Sequence, residues 1–200
     1  MKPIRNIVIL TGAGVSAESG IDTFRDGGGL WERHRGEDVA TPQAFARDPG
    51  LVHRFYDMRR EAIQLKVPNE AHVALARLDA EWRGGLTLGA PNVDDLPEPA
   101  RARPLIHPWD QRPPCREALT ARPPCPACGA RALRPDVVWF GEMPYHMDRI
   151  MAALREVDLF VSIGTSGAVY PAAGFVRTAR DLGARTLELN LEPSQGTDWF

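Results

Sequence analysis

The residues with the types and spacing to do chemistry begin just behind the apolar run Ile7-Val8-Ile9-Leu10, where Thr11 to Asp26 reads TGAGVSAESGIDTFRD. A short buried strand that breaks into a small-residue turn is how parallel α/β proteins cradle a dinucleotide pyrophosphate. Gly12 and Gly14 would let the backbone approach the phosphates, and a helix opening near Ser16 would aim its N–H groups at them. The next glycine is Gly20, so the spacing is not the common G-x-G-x-x-G. The unbroken tail Gly20-Ile-Asp-Thr23-Phe24-Arg25-Asp is more than packing alone requires.

Other groups stand farther along. Ile163-Gly164-Thr165-Ser166 and Leu189-Asn190-Leu191-Glu192 each follow a strand-like run. Ligands of open α/β sheets bind at the carboxyl ends of strands, so these hydroxyl and amide groups are placed for ribose and adenine contacts. Cys125-Pro-Ala-Cys128 is half of a zinc knuckle, and Cys115 is the remaining cysteine of three. Two thiolates two residues apart can share a tetrahedral ion, but a structural zinc needs about four ligands. Buried or redox cysteines are the alternative. Tyr56 and Arg59 stand at i and i+3 on a helical pattern and share a face, which is also what ordinary packing of a surface helix would give. Asn92 and Asp94 after a short strand read equally as turn residues. The chain has five histidines, at 34, 53, 72, 107 and 146, and none precedes a glycine. His72, inside the helix after Pro68, reads as a structural residue.

The elements that must position these groups follow from apolar period and punctuation. Runs at Ile7–Leu10, Val137–Phe140, Leu159–Ile163 and Thr186–Leu189 have strand length and composition, with a further short strand near Leu86. Helical patterns cover Met147–Val157 and Ala172–Leu182, the latter stopped by Gly183, and another follows Pro68 with Asn69 as its N-cap. Residues 34–66 read as a helical insertion, with Thr41-Pro42 opening one helix. Alternating strands and helices predict an α/β fold with a Rossmann-like parallel sheet, one domain over 1–200, and a small zinc-binding and helical subdomain from 34–66 and 105–135. Between Pro97 and Pro124 stand eight prolines and five arginines, a density that forbids regular structure through most of the stretch.

Composition narrows the function class. Lys and Arg number 24 against 26 Asp and Glu, so a net charge of −2 argues against bulk nucleic-acid binding. No apolar run approaches the ~18 residues of a membrane span, and the first residues have no long apolar stretch of the signal-peptide kind. Three cysteines do not suggest a secreted disulfide framework. The expectation is a soluble cytoplasmic monomer.

Taken together, Thr11–Asp26, Asn92-Val-Asp94, Val137-Val-Trp-Phe-Gly-Glu142, Gly164-Thr-Ser166 and Asn190-Leu-Glu192 resemble the sirtuins, the NAD-dependent protein-lysine deacylases. The resemblance covers roughly Ile4 to Gln195, with a degraded central region. It implies NAD as co-substrate, bound by Gly12, Ala13, Gly14, Ser16, Ala17, Thr23, Phe24, Arg25, Gly164, Thr165, Ser166, Asn190, Leu191 and Glu192, with Asn92 and Asp94 holding nicotinamide. It implies zinc on Cys115, Cys125 and Cys128, and acylated-lysine proteins or peptides as partners, added as a strand along 137–142. In the desuccinylase and demalonylase subgroup, a Tyr-x-x-Arg pair matching Tyr56 and Arg59 clamps the acyl carboxylate; a guanidinium fork suits a carboxylate. The pattern departs in three places. Ala90-Pro91 stands where the family has Thr-Gln. Aligning Ile106-His107 puts Trp109 at the position of the family's basic histidine and Asp110 at its glycine, leaving His107 as the nearest imidazole. The chain ends at Phe200, where the family continues with a further strand and helix.

Overall fold

The computed structural model describes residues 3–21, 30–31, 34–89 and 133–200. Its centre is a four-stranded parallel sheet in the order β4-β1-β5-β6, made of β1 (Asn6–Thr11), β4 (Gly85–Gly89), β5 (Leu159–Ile163) and β6 (Arg185–Leu189). β1 pairs with β4 on one side, Ile7 opposite Leu86, and with β5 on the other, Ile7 opposite Leu159. Asp158 fixes this register at the entry: its carboxylate accepts the N–H groups of Arg5 and Asn6, both at 2.9 Å.

Side chains alternate across a strand, so β1 serves two cores. Val8 and Leu10 join Phe160 against α5 (Met147–Glu156) and α6 (Phe175–Asp181), where Leu154 and Ala179 are fully buried. Ile7 and Ile9 join Val161, Val15 and Leu75 of α4 (Glu70–Glu81) on the opposite face. A sheet covered by helices on both sides is the doubly wound arrangement expected of uninterrupted Val/Ile/Leu strands.

The residues from 34 on form a separate helical layer. A short hairpin, β2 (Leu30–Trp31) and β3 (His34–Arg35), leads into α1 (Gly36–Val39), α2 (Pro42–Arg47) and α3 (Pro49–Gln64). The helix starts obey local chemistry. Thr41 Oγ accepts from Ala44 N at 3.0 Å and Asp48 Oδ1 from Leu51 N at 2.9 Å, each followed by proline in the first turn. Val39, Ala44, Val52, Phe55 and Tyr56 bury together with Val137 and Trp139.

Three expectations need correction. Val137–Phe140 is not a strand: only Val137 makes a bridge, and the chain turns at Phe140-Gly141. Side chains and isolated backbone contacts, rather than a ladder, satisfy its backbone; Phe140 N donates to the Ala40 carbonyl at 3.0 Å. Arg134 donates to the Val137 carbonyl at 2.8 Å, and Glu142 accepts from Trp139 N at 2.9 Å. The helix of the first turn does not open near Ser16; it is a 3-10 helix from Ala13 to Ser19, closed by Gly20 at φ +77°. Ala172–Leu182 is divided into a 3-10 turn at Ala172–Gly174 and α6, with Gly183 following at φ +88°. Among the described residues no helix is long and apolar enough to cross a membrane.

Candidate active site

Three loops meet at the carboxyl ends of β1, β5 and β6. Gly12 N donates to the Ile163 carbonyl at 2.8 Å and Gly14 N to the Gly164 carbonyl at 2.9 Å. Gly164 N in turn donates to the Leu189 carbonyl at 3.0 Å. The glycines exist for this contact. A Cβ on Gly12 would stand 2.4 Å from the Gly164 oxygen, and one on Gly164 would stand 2.5 Å from Val15 N. Gly164 also needs φ +62°, a conformation a side chain disfavours. Backbone-on-backbone packing of the two loops, not solely approach to a ligand, therefore demands glycine at 12, 14 and 164. It also corrects the expectation for the turn's amides: those of Gly12, Gly14 and Val15 already bond to protein carbonyls.

Around this junction the polar groups are mutually fixed. Ser162 and Thr165 hydroxyls lie 2.9 Å apart. Asn190 Nδ2 donates to the Thr165 carbonyl at 2.9 Å and to Glu188 Oε1 at 3.0 Å. Ser166 Oγ accepts from Ala168 N at 3.3 Å, and its carbonyl accepts from Gln195 N. Ala17 is exposed and accepts from Gly20 N, while Leu191 and Glu192 are exposed beyond β6.

Ser16 is fully buried and reaches His72 Nε2 at 3.3 Å. The backbone N–H of Asn69 donates to His72 Nδ1 at 3.1 Å, so that nitrogen carries no proton and Nε2–H donates to the Ser16 oxygen. Asn69 accepts from Ala71 N and His72 N, completing a capping box, and its Nδ2 donates to the Val15 carbonyl at 2.8 Å. His72 is thus the structural residue expected, and it ties α4 to the first turn. His53 is also buried, donating Nε2–H to the Leu133 carbonyl at 3.2 Å.

Tyr56 and Arg59 are not on a surface face. Both are buried on α3, 3% and 7% exposed, and the Arg59 guanidinium lies 5.8 Å from the Phe55 ring centre. Tyr56 Oη accepts the indole N–H of Trp139 at 3.0 Å. Trp139 is held in turn by Arg134, whose guanidinium stacks 3.6 Å from the ring centre and forks the Glu142 carboxylate at 2.7 and 2.8 Å. Sequence reading missed this cluster because its members are 83 positions apart. The capping-box spacing of Asn69 and His72 was the one local signal available for the other contact.

The Arg134–Glu142 pair makes this segment pH-dependent. The hydrogen bond from Arg134 holds the Glu142 carboxyl below its ordinary 4.5, against the opposing effect of burial. Its contribution is present above 4.5 and lost as pH falls through the lowered folded value. Tyr145 donates to Asp136 at 2.7 Å, and that bond, with burial, pushes the phenol up from 10.0 to about 12. That contribution is complete below 10.0 and is lost as pH rises toward about 12. Near-UV circular dichroism of Trp139 is expected to hold between these limits, and Glu142→Gln to remove the acid limb alone.

Thr23, Phe24, Arg25, Asn92, Asp94, His107, Trp109, Cys115, Cys125 and Cys128 lie outside the described residues. Among the described residues no group of three or more His, Cys, Asp or Glu could hold a metal ion.

Known proteins share this arrangement. An NAD-dependent protein deacylase of Vibrio parahaemolyticus is 52% identical over 206 aligned positions, 96% of this chain and 86% of the relative. A crystal structure of a Sir2 homolog–NAD complex superposes with TM-score 0.86 at 39% identity, over 97% of this chain and 81% of that one. A Sir2 structure with deacetylated p53 peptide and 3'-O-acetyl-ADP-ribose superposes with TM-score 0.82 at 26% identity, over 98% and 85%. The profile of the Sir2 family matches residues 12–111 and 107–171, and with that match and the identity above, the chain belongs to the Sir2 family.

Proposed function

We propose that this chain is an NAD-dependent protein-lysine deacylase of the desuccinylase and demalonylase type, acting on acylated proteins in the cytoplasm as a monomer. The observation that carries the reading is the interlocked junction of Gly12–Gly14, Gly164–Ser166 and Asn190–Glu192 at the carboxyl ends of three parallel strands. The fit is supported by its chemistry: small residues, hydroxyls and amides fixed on backbone, suited to a neutral ribose and a pyrophosphate. Family relatives carry the name deacylase, and one solved neighbour holds a deacetylated peptide beside an acetylated ADP-ribose.

In this reading Gly12, Ala13, Gly14, Ser16 and Ala17 with Gly164, Thr165, Ser166, Asn190, Leu191 and Glu192 hold the ADP-ribose part. Thr23, Phe24 and Arg25 shield and orient the nicotinamide ribose, while Asn92 and Asp94 hold the carboxamide. Tyr56 and Arg59 receive the acyl carboxylate at the end of the acyl-lysine side chain. The acyl oxygen attacks the ribose carbon as nicotinamide leaves, and a base takes the proton of the ribose hydroxyl. By the alignment of Ile106-His107, His107 is the imidazole nearest the family's base position in sequence; His72 and His53 are held in structural hydrogen bonds. Cys115, Cys125 and Cys128 would hold zinc with a fourth ligand, in a structural role.

A second reading is favoured by one residue. Trp109 stands at the family's base position, and an indole N–H only donates. The chain would then bind NAD and acyl-lysine without turnover. Nicotinamide release from NAD with a succinyl-lysine peptide separates the two. Turnover by the wild-type protein supports the deacylase with His107 as base, and its loss in His107→Ala completes the case. Silence in the wild type with turnover in Trp109→His combined with Asp110→Gly establishes the binding module.

A further inference from the structure

We propose that Ser162 is a positioning residue of the nucleotide site: it donates its hydroxyl hydrogen to Thr165 Oγ1 and so commits the Thr165 hydrogen to an oxygen of bound ADP-ribose. This rests on the assignment of Thr165 to the ADP-ribose part.

The two hydroxyl oxygens lie 2.9 Å apart, and each group carries one hydrogen. Only one of those hydrogens can occupy the line between them. Ser162 is 3% exposed on β5, and among the described residues its hydroxyl meets no acceptor besides Thr165. Were Thr165 to donate inward, the Ser162 hydrogen would be buried without an acceptor, at the full cost of its desolvation. With Ser162 donating outward, its hydroxyl is satisfied. The surplus hydrogen then belongs to Thr165, which is half-buried in the loop after the strand. Burial therefore selects the second direction.

Thr165 is held at its other groups as well. Asn190 Nδ2 donates to its carbonyl at 2.9 Å. Its Cα and methyl lie against the first turn, where a Cβ on Gly12 would stand 2.7 Å from the Cα and 2.9 Å from Cγ2. Threonine is stiff at χ1, so a methyl turned to Gly12 and a hydroxyl turned to Ser162 are one rotamer choice. Exchanging the two groups would put the methyl against the Ser162 hydroxyl and leave that hydroxyl without a partner.

Packing alone gives no reason for a serine at 162. Its register neighbour on β1 is Leu10, a member of the core, and Phe160 two residues earlier is 1% exposed in the same cluster. Glu188, its register neighbour on β6, is engaged by Asn190 and Thr197. The one polar group that Ser162 serves is the hydroxyl of the nucleotide loop. Ribose and pyrophosphate oxygens are acceptors, and a hydroxyl whose oxygen already accepts is polarised into a stronger donor.

The test is calorimetric titration of wild type, Ser162→Ala, Thr165→Val and the double variant with ADP-ribose, beside urea unfolding of each. Thr165→Val is expected to weaken ADP-ribose about tenfold, the order of one hydrogen bond to a charged group. Ser162→Ala is expected to weaken it about threefold, the order of releasing the hydroxyl among three staggered χ1 positions. Beside Thr165→Val, the same change is expected to do nothing further to affinity. Stability should run the other way. Thr165→Val strands the Ser162 hydroxyl and lowers the urea midpoint, and adding Ser162→Ala restores most of it. Two results overturn the positioning role and leave the nucleotide cradle standing: an undiminished Ser162→Ala loss beside Thr165→Val, or no loss from Ser162→Ala where Thr165→Val weakens binding. If Thr165→Val binds ADP-ribose as tightly as wild type, the Thr165 assignment falls and this proposal with it. If wild type does not bind ADP-ribose, the nucleotide reading itself falls.

Discussion

Gly164→Ala is expected to abolish measurable NAD binding and to lower the unfolding free energy by about 2–5 kcal/mol, the sum of a left-handed backbone strain and an overpacked contact. Two independent constraints act at this residue. Its φ of +62° suits glycine, and an added Cβ would meet Val15 N at 2.5 Å and the Gly14 carbonyl carbon at 2.8 Å. Both obstacles are backbone, which cannot move aside as a flexible side chain could. The loop after β5 would have to withdraw from the Gly12–Gly14 turn, breaking the bond from Gly14 N to the Gly164 carbonyl. Since that junction is where the nucleotide is proposed to sit, stability and affinity should fall together. Urea denaturation and calorimetric titration with NAD read the two effects. A Gly164→Ala protein with an unaltered midpoint and an unaltered NAD affinity would remove the structural basis of the nucleotide assignment.

Arg59→Met is expected to weaken succinyl-lysine peptide binding by about a hundredfold, near the upper range for a hydrogen bond to a charged group. Methionine keeps much of the apolar stem and removes the fork and its charge. Arg59 is 7% exposed, so its charge lies away from bulk water, where an incoming carboxylate would gain more than at the surface. Acetyl-lysine has no carboxylate to lose, so its binding should change far less. Competition between the two peptides for the same protein measures the difference directly. Equal losses for both would reduce Arg59 to a packing role on α3.

What could be read from the sequence was what local chemistry dictates. β1, β5 and β6 came from apolar runs, and their ends agree with the structure to within about a residue or two. Asn69, Thr41 and Gly183 marked helix ends because capping is decided by residues three or four positions apart. The strand expected at Val137–Phe140 failed for the opposite reason. Its backbone partners are the side chains of Arg134 and Glu142 together with the Ala40 carbonyl, and apolar composition alone does not distinguish a ladder from a turn satisfied in this way. The nucleotide turn was legible, but the reason for its glycines was not. Gly12 and Gly164 are 152 positions apart, and only the folded chain brings them together. The contacts of Ser16 with His72 and Tyr56 with Trp139 are of the same long-range kind.

The most direct measurement follows the acyl group itself. Mass spectrometry of a reaction containing NAD, a succinyl-lysine peptide and this protein, wild type beside Trp109→His with Asp110→Gly, should find one nicotinamide released for each peptide deacylated. The succinyl group should appear on ADP-ribose. Free succinate with NAD intact, or no deacylated peptide from either folded protein, would contradict the account.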